Sequence, residues 1–127
     1  MTAFMWLVRL RIAANLVLAG YFMLWHPHRL ASVLGLEAPS DPAWIRALGA
    51  AYVFVALAYV PSAIAPRRCM PSNLFVILGP ILPIILLLVV AWSSSGVIWL
   101  VAYELLFAIV LSIAFQRGFV AEVMSKP

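Results

Sequence analysis

The chain has 127 residues, 67 % of them hydrophobic and 9 % charged, with a formal net charge of +4. A soluble domain is ~25 % charged, so an ordinary water-facing globule is excluded, and the length leaves no room for two domains. Nucleic acid is not the implied partner of the positive charge, because the basic residues stand at the ends of apolar runs, where lipid headgroups and orientation signals account for them.

The first apolar run predicts a helix over about 4–25. Arg9 and Arg11 fall in its first half, after apolar residues, which reverses the charge order of a secretory signal. They either snorkel to the headgroups or lie on an amphipathic start. Arg11 and Asn15 are one turn apart on one face, so they line a polar pocket or reach a neighbouring helix.

His26-Pro27-His28 stops this helix, and a short interfacial helix is expected over 30–36, with Gly35 near its end. Ser40-Asp41-Pro42 reads as an N-cap followed by a proline at the first helical position, which starts a second helix over about 42–63. That helix carries Arg46 one turn in, small residues for close approach (Ala47, Ala50, Ala51 and Ala58), and Pro61 in its last turn. A turn over 65–73 follows, with Ser72 or Asn73 as the cap of a third helix over about 74–92. Gly79, Pro80 and Pro83 lie inside it and predict a bend or local unwinding. Residues 93–96 form a tight hairpin into a fourth helix over about 97–116.

The expected fold is therefore all-α: an integral membrane four-helix bundle with short loops, one transmembrane domain over 1–127. Trp6, Trp25, Trp44, Trp92 and Trp99 all fall near a proposed membrane boundary, as an aromatic belt requires. Four crossings put both termini on one side. That side holds Arg9, Arg11, Arg67, Arg68, Arg117 and Lys126, against Arg29 and Arg46 on the other, which makes it cytoplasmic.

The fourth helix contains Glu104 within nineteen apolar residues, 97–115, that span roughly 28 Å. A carboxylate at mid-bilayer costs about 2.5–3.5 kcal/mol, so Glu104 must face protein or water. Depth counted from the helix ends pairs it with Arg46, with Tyr103 or Tyr21 alongside. The candidate intramembrane polar cluster is thus Arg46, Glu104, Tyr103, Asn15 and Arg11, either a packing device or part of a proton, quinone or substrate path. Cys69 is the only cysteine, so no intrachain disulfide or multi-cysteine metal site is possible. His26 and His28, with Glu37 or Asp41, lack a metal-ligand spacing, and no catalytic motif occurs.

The run 44–68, WIRALGAAYVFVALAYVPSAIAPRR, has an arginine, a glycine three residues on, an aromatic-rich helix and a Pro/Arg turn. It resembles small four-span bacterial membrane proteins of the BphX-like and DoxX-like group, and the glutamate in the last helix fits. The resemblance implies a four-helix bundle in the bacterial cytoplasmic membrane, accessory to oxidative or quinone-linked chemistry, with no catalytic residue to carry over. Small multidrug transporters share the span count, but their essential glutamate is in the first helix, which here has none. The expected function is a non-catalytic accessory or scaffold subunit among other membrane proteins, without a cofactor unless quinone or lipid. The alternatives are a carrier using Glu104 and the broken third helix, and a quinone-linked oxidoreductase subunit.

Overall fold

A computed structural model describes residues 1–35, 43–91 and 96–125. Helices joined by short turns make up these residues, with no strand among them. Helix α1 (Thr2–Leu16) continues without interruption into a π-helical segment (Val17–Trp25). The buried positions of this 24-residue rod are Phe4, Val8, Arg11, Asn15, Ala19 and Met23. In an α-helix, steps of four drift by about 40° each. The wider i→i+5 turns of the second half take up that drift, so Ala19 and Met23 stay on the face that Asn15 begins.

His26 leaves the helical region (φ −126°, ψ 59°), and Pro27 opens α2 (Pro27–Val33). Proline suits a first helical position because its missing N–H would be unpaired there anyway. The short helix therefore starts earlier than the expected 30–36. Gly35 ends it with φ +66°, a left-handed turn that glycine adopts without strain. α2 folds back onto the π segment, and Leu30, Ala31 and Leu34 share a core with Ala19 and Met23. The expected cap Ser40-Asp41-Pro42 lies outside the described residues.

α3 (Ala43–Ala58) and α4 (Val60–Ile64) together cover the expected second helix. They are separated at Tyr59 because Pro61 brings no N–H to the Leu57 carbonyl. Hydrogen bonds still run through the junction: Tyr59 N–H donates to Val55 and Ala56, and Ala63 N–H donates to Tyr59. The close approach expected of Ala47, Ala50 and Ala51 is made elsewhere, since those three are exposed. Gly49 makes it instead, where an added Cβ would lie 2.7 Å from Met23 Cβ.

α5 (Met70–Leu78) begins four residues before the expected 74, with Cys69 at its N-cap and Pro71 in its first turn. Ser72 and Asn73 are inside the helix and do not cap it. Asn73 Nδ2 donates to the Pro66 carbonyl at 2.6 Å, closing the preceding turn, and Ser72 Oγ donates to the Ala58 carbonyl at 3.0 Å. The helix is interrupted at Gly79-Pro80, where Gly79 keeps helical dihedrals (φ −53°, ψ −38°), and resumes as α6 (Ile81–Ala91). Trp92 and residues 93–95 of the expected hairpin lie outside the described residues, although α6 and α7 pack side by side.

α7 (Val97–Met124) is longer than expected and does not end at Gln116-Arg117-Gly118. A mid-helix glycine costs about 1 kcal/mol, and contacts within the helix and to its neighbours offset it. Gly118 backs onto Met1, Phe115 stacks on Phe119, and Arg67 pairs with Glu122 at 2.6 Å.

Three helices, Thr2–Trp25, Met70–Val89 and Val97–Met124, are long and apolar enough to cross a membrane. α3, at 16 residues, is shorter than a full crossing by itself. Trp6, Trp25, Trp44 and Trp99 are exposed, as belt residues must be. α1 lies between α3 and α7, and α7 packs on α5 and α6. α3 and α6 do not pack extensively on one another, which leaves a wedge between them.

Candidate functional site

The interior is two apolar cores with a polar layer between them. One core is built on Ala19, Met23, Ile45, Tyr52 and Leu100; the other on Phe4, Val8, Tyr59, Val76 and Leu111. Between them along α1 stand Arg11 and Asn15, and along α7 stands Glu104, all essentially without exposure.

Arg11 Nη2 forms an ion pair with Glu104 Oε2. The hydroxyl of Tyr52 on α3 donates to Glu104 Oε1 at 2.6 Å, so each carboxylate oxygen has a partner from a different helix. The Tyr103 hydroxyl donates to Asn15 Oδ1 at 2.9 Å. The guanidinium of Arg11 sits 4.6 Å from the Tyr103 ring centroid and 4.7 Å from that of Phe107, a stack that suits its planar charge. Three helices are thus tied together at one level by charge-assisted bonds, roughly twice as strong as neutral ones.

Of the five expected cluster residues, four come together: Arg11, Asn15, Tyr103 and Glu104. Arg46 does not. It is exposed in the first turn of α3, and Arg11 takes the place expected of it. Depth counting failed because α7 does not start level with the end of the first rod. α2 folds back, and the chain at Gly96 abuts the Leu34 backbone so closely that a Cβ would overlap its carbonyl. Val97 accordingly packs with Ala19, Met23 and Leu34, and Glu104 sits deeper than a start at the rim would put it. Tyr21 lies outside the cluster, where its hydroxyl accepts from Arg29 at 3.2 Å. Arg9 and Arg11 part company: Arg9 turns outward over Trp6 and donates to the Ala63 carbonyl at 3.0 Å, while Arg11 goes inward. Glu37 and Asp41 lie outside the described residues.

Two tyrosines carry weight that the sequence reading did not give them. Tyr52 and Tyr59 are seven apart, hence on one helical face, with Gly49 and Ala56 in the same stripe. That stripe was the available signal.

Beside the polar layer, in the wedge between α3 and the α5–α6 break, lies a cavity of about 290 Å³. Its walls are apolar, formed by Leu48, Val55, Phe75, Leu78 and Leu82, and Arg11 and Tyr59 also line it. Both are fully buried, and by hydrogen-bond geometry Arg11 Nε and Nη1 and the Tyr59 hydroxyl have no partner among the described residues. The Tyr59 hydroxyl and the Arg11 guanidinium lie beside one another in this layer. Gly79 packs closely on Tyr59, since a Cβ there would stand 2.7 Å from the Tyr59 hydroxyl.

No family model, curated protein or solved structure matches this chain.

Proposed function

We propose that this chain is a small multi-pass membrane protein that holds a hydrophobic small molecule in the wedge between α3 and α6, as a non-catalytic binding or carrier subunit. In this reading it crosses the bilayer four times, with α3 and α4 together making the second crossing. The N-terminal end of the bundle carries Arg9, Arg67, Arg68 and Arg117, against Arg29 and Arg46 at the other end, which supports a cytoplasmic N-terminal end. Arg11 drops out of that balance because it is interior.

An apolar-walled cavity beside a buried polar layer carries the reading. Ligand sites are mostly apolar with a few placed polar groups, and 290 Å³ stands at the small end of their range of about 300–1,000 Å³. A helix broken at Gly79-Pro80 beside the cavity adds support, because interrupted membrane helices mark binding sites in carriers.

Ala51 tests it. This residue lines the cavity from an exposed position on α3, so Ala51→Phe fills the mouth without disturbing the core. Native mass spectrometry of the protein released from native membrane should show a bound small molecule that Ala51→Phe loses. A wild-type chain that carries no more bound mass than Ala51→Phe overturns the reading.

The accessory or scaffold role is a second reading, favoured by the far end of α7. Beyond Arg117 this helix exposes Phe119, Val120, Val123 and Met124 as one apolar strip. Co-purification of a partner protein that Val120→Glu releases would support it.

A further inference from the structure

We infer that a groove at the N-terminal end of the bundle binds the headgroup of an anionic phospholipid, its phosphate held by Arg68 and Arg9 and its acyl chains lying along the outer face of α1. The groove is separate from the cavity beside α3, and neither site depends on the other.

The groove has a volume of about 280 Å³ and runs between the first turns of α1 and the turn that joins α4 to α5. Thr2 and Met5 form one wall, and Ile64, Arg67 and Arg68 form the other. One turn past Met5, Arg9 spans the two elements that make these walls. Its Nε donates to the Ala63 carbonyl of α4 at 3.0 Å, and its Nη2 lies 3.7 Å from Met5 Sδ. The contact with Met5 turns the guanidinium back toward the start of the helix, as an arginine does when its stem carries the charge to headgroup level. Trp6 marks the same level, with its ring 4.8 Å from that guanidinium and 60 % of its surface exposed. Indole rings settle where hydrocarbon meets headgroups.

Charge decides the head. Among the described residues at this end, Arg9, Arg67, Arg68 and Arg117 face a single carboxylate, Glu122, which Arg67 already holds. Arg9 and Arg68 are exposed, and neither has an ion-pair partner among the described residues. Guanidinium forks match the oxygens of a phosphate. The ammonium of a choline or ethanolamine headgroup would instead add a positive charge to this group and find no open carboxylate.

The order of residues along α1 decides the body. Beyond Arg9 the outer face continues through Leu10, Ala13 and Val17, which are exposed and form one helical stripe with Trp6. A cationic level followed by an apolar stripe matches a phospholipid from head to tail, whereas a soluble anion would use the first and leave the second bare.

The experiment titrates the full chain in detergent micelles at physiological salt with phosphatidylglycerol and phosphatidylcholine of matched acyl chains. Retained lipid is read by native mass spectrometry. Phosphatidylglycerol should bind about twentyfold more tightly than phosphatidylcholine, and Arg68→Gln should weaken it about fivefold, the worth of one basic side chain at an anionic surface. Arg9→Gln combined with Arg68→Gln should bring the two lipids within about twofold of each other. Arg29→Gln combined with Arg46→Gln removes the same charge from the other end and should leave the preference as it is in wild type. Should the Arg9 variant not fold, Arg68→Gln carries the test alone, because its exposed side chain makes no other contact that folding requires.

Equal binding of the two lipids by wild type overturns the site. A preference that falls as far in the Arg29 and Arg46 variant as in the Arg9 and Arg68 variant reduces it to net charge and overturns the groove. Glycerophosphate binding as tightly as phosphatidylglycerol overturns the lipid as occupant in favour of a soluble phosphate.

Discussion

Among the described residues, two arginine–glutamate pairs stand in opposite surroundings. Arg67–Glu122 lies at the N-terminal end of the bundle with side chains 73 % and 29 % exposed, whereas Arg11–Glu104 lies in the polar layer at 1 % and 0 %. The outer pair is solvated, screened and free to break. The inner pair has given up its solvation, and the aromatic faces of Tyr103 and Phe107 and the Tyr52 hydroxyl replace part of what water would have supplied. Identical chemistry therefore has different consequences: the inner pair fixes which helices meet and at what level, and the outer pair trims one helix end. A buried pair adds little net stability while whole, but breaking it strands a charge.

The comparison is broken most forcefully at Glu104. Glu104→Gln leaves Arg11 charged and unpaired, and should cost about 3–5 kcal/mol in an SDS-titration unfolding curve in mixed micelles. A loss below 1 kcal/mol would mean that water already reaches the layer. Next comes Tyr52→Phe, which removes a hydrogen bond to a charged acceptor and should cost about 1.5–3 kcal/mol in the same assay. The smallest effect belongs to the outer pair: Arg67→Gln or Glu122→Gln should cost about 0–1 kcal/mol and vanish in high salt. An outer-pair loss that matches the inner one and ignores salt would remove the distinction.

Much of the fold was legible in the sequence because lipid imposes a simple rule. Long apolar runs must be helical to satisfy their own backbone, and their limits near Trp25, Gly79 and Gly96 are marked by proline, glycine and tryptophan. The departures have local causes. Ser72 and Asn73 looked like caps, but the turn they serve uses them from inside the helix, where Asn73 reaches back to the Pro66 carbonyl. Gly118 looked like a stop, and the contact with Met1 overrides it.

The site was legible in part. An acid in the middle of an apolar helix announces itself, and Arg11 and Asn15 announce each other by spacing. Their pairing across helices was hidden because it depends on where α7 starts, and the fold-back of α2 sets that level, which no periodicity encodes. The cavity was hidden for a similar reason. Gly79-Pro80 predicts a break, but the opening exists only because the break lies opposite the Tyr52–Tyr59 face of α3.

The most direct test of the account is a pair of double-mutant cycles on Glu104, one with Arg11→Gln and one with Arg46→Gln, read as unfolding free energy. The account predicts that Arg11 and Glu104 couple strongly, the double variant losing at least 2 kcal/mol less than the sum of ~3–5 kcal/mol singles, while Arg46→Gln stays within about 0.5 kcal/mol of wild type and adds simply. Additivity for Arg11 together with coupling for Arg46 would contradict it.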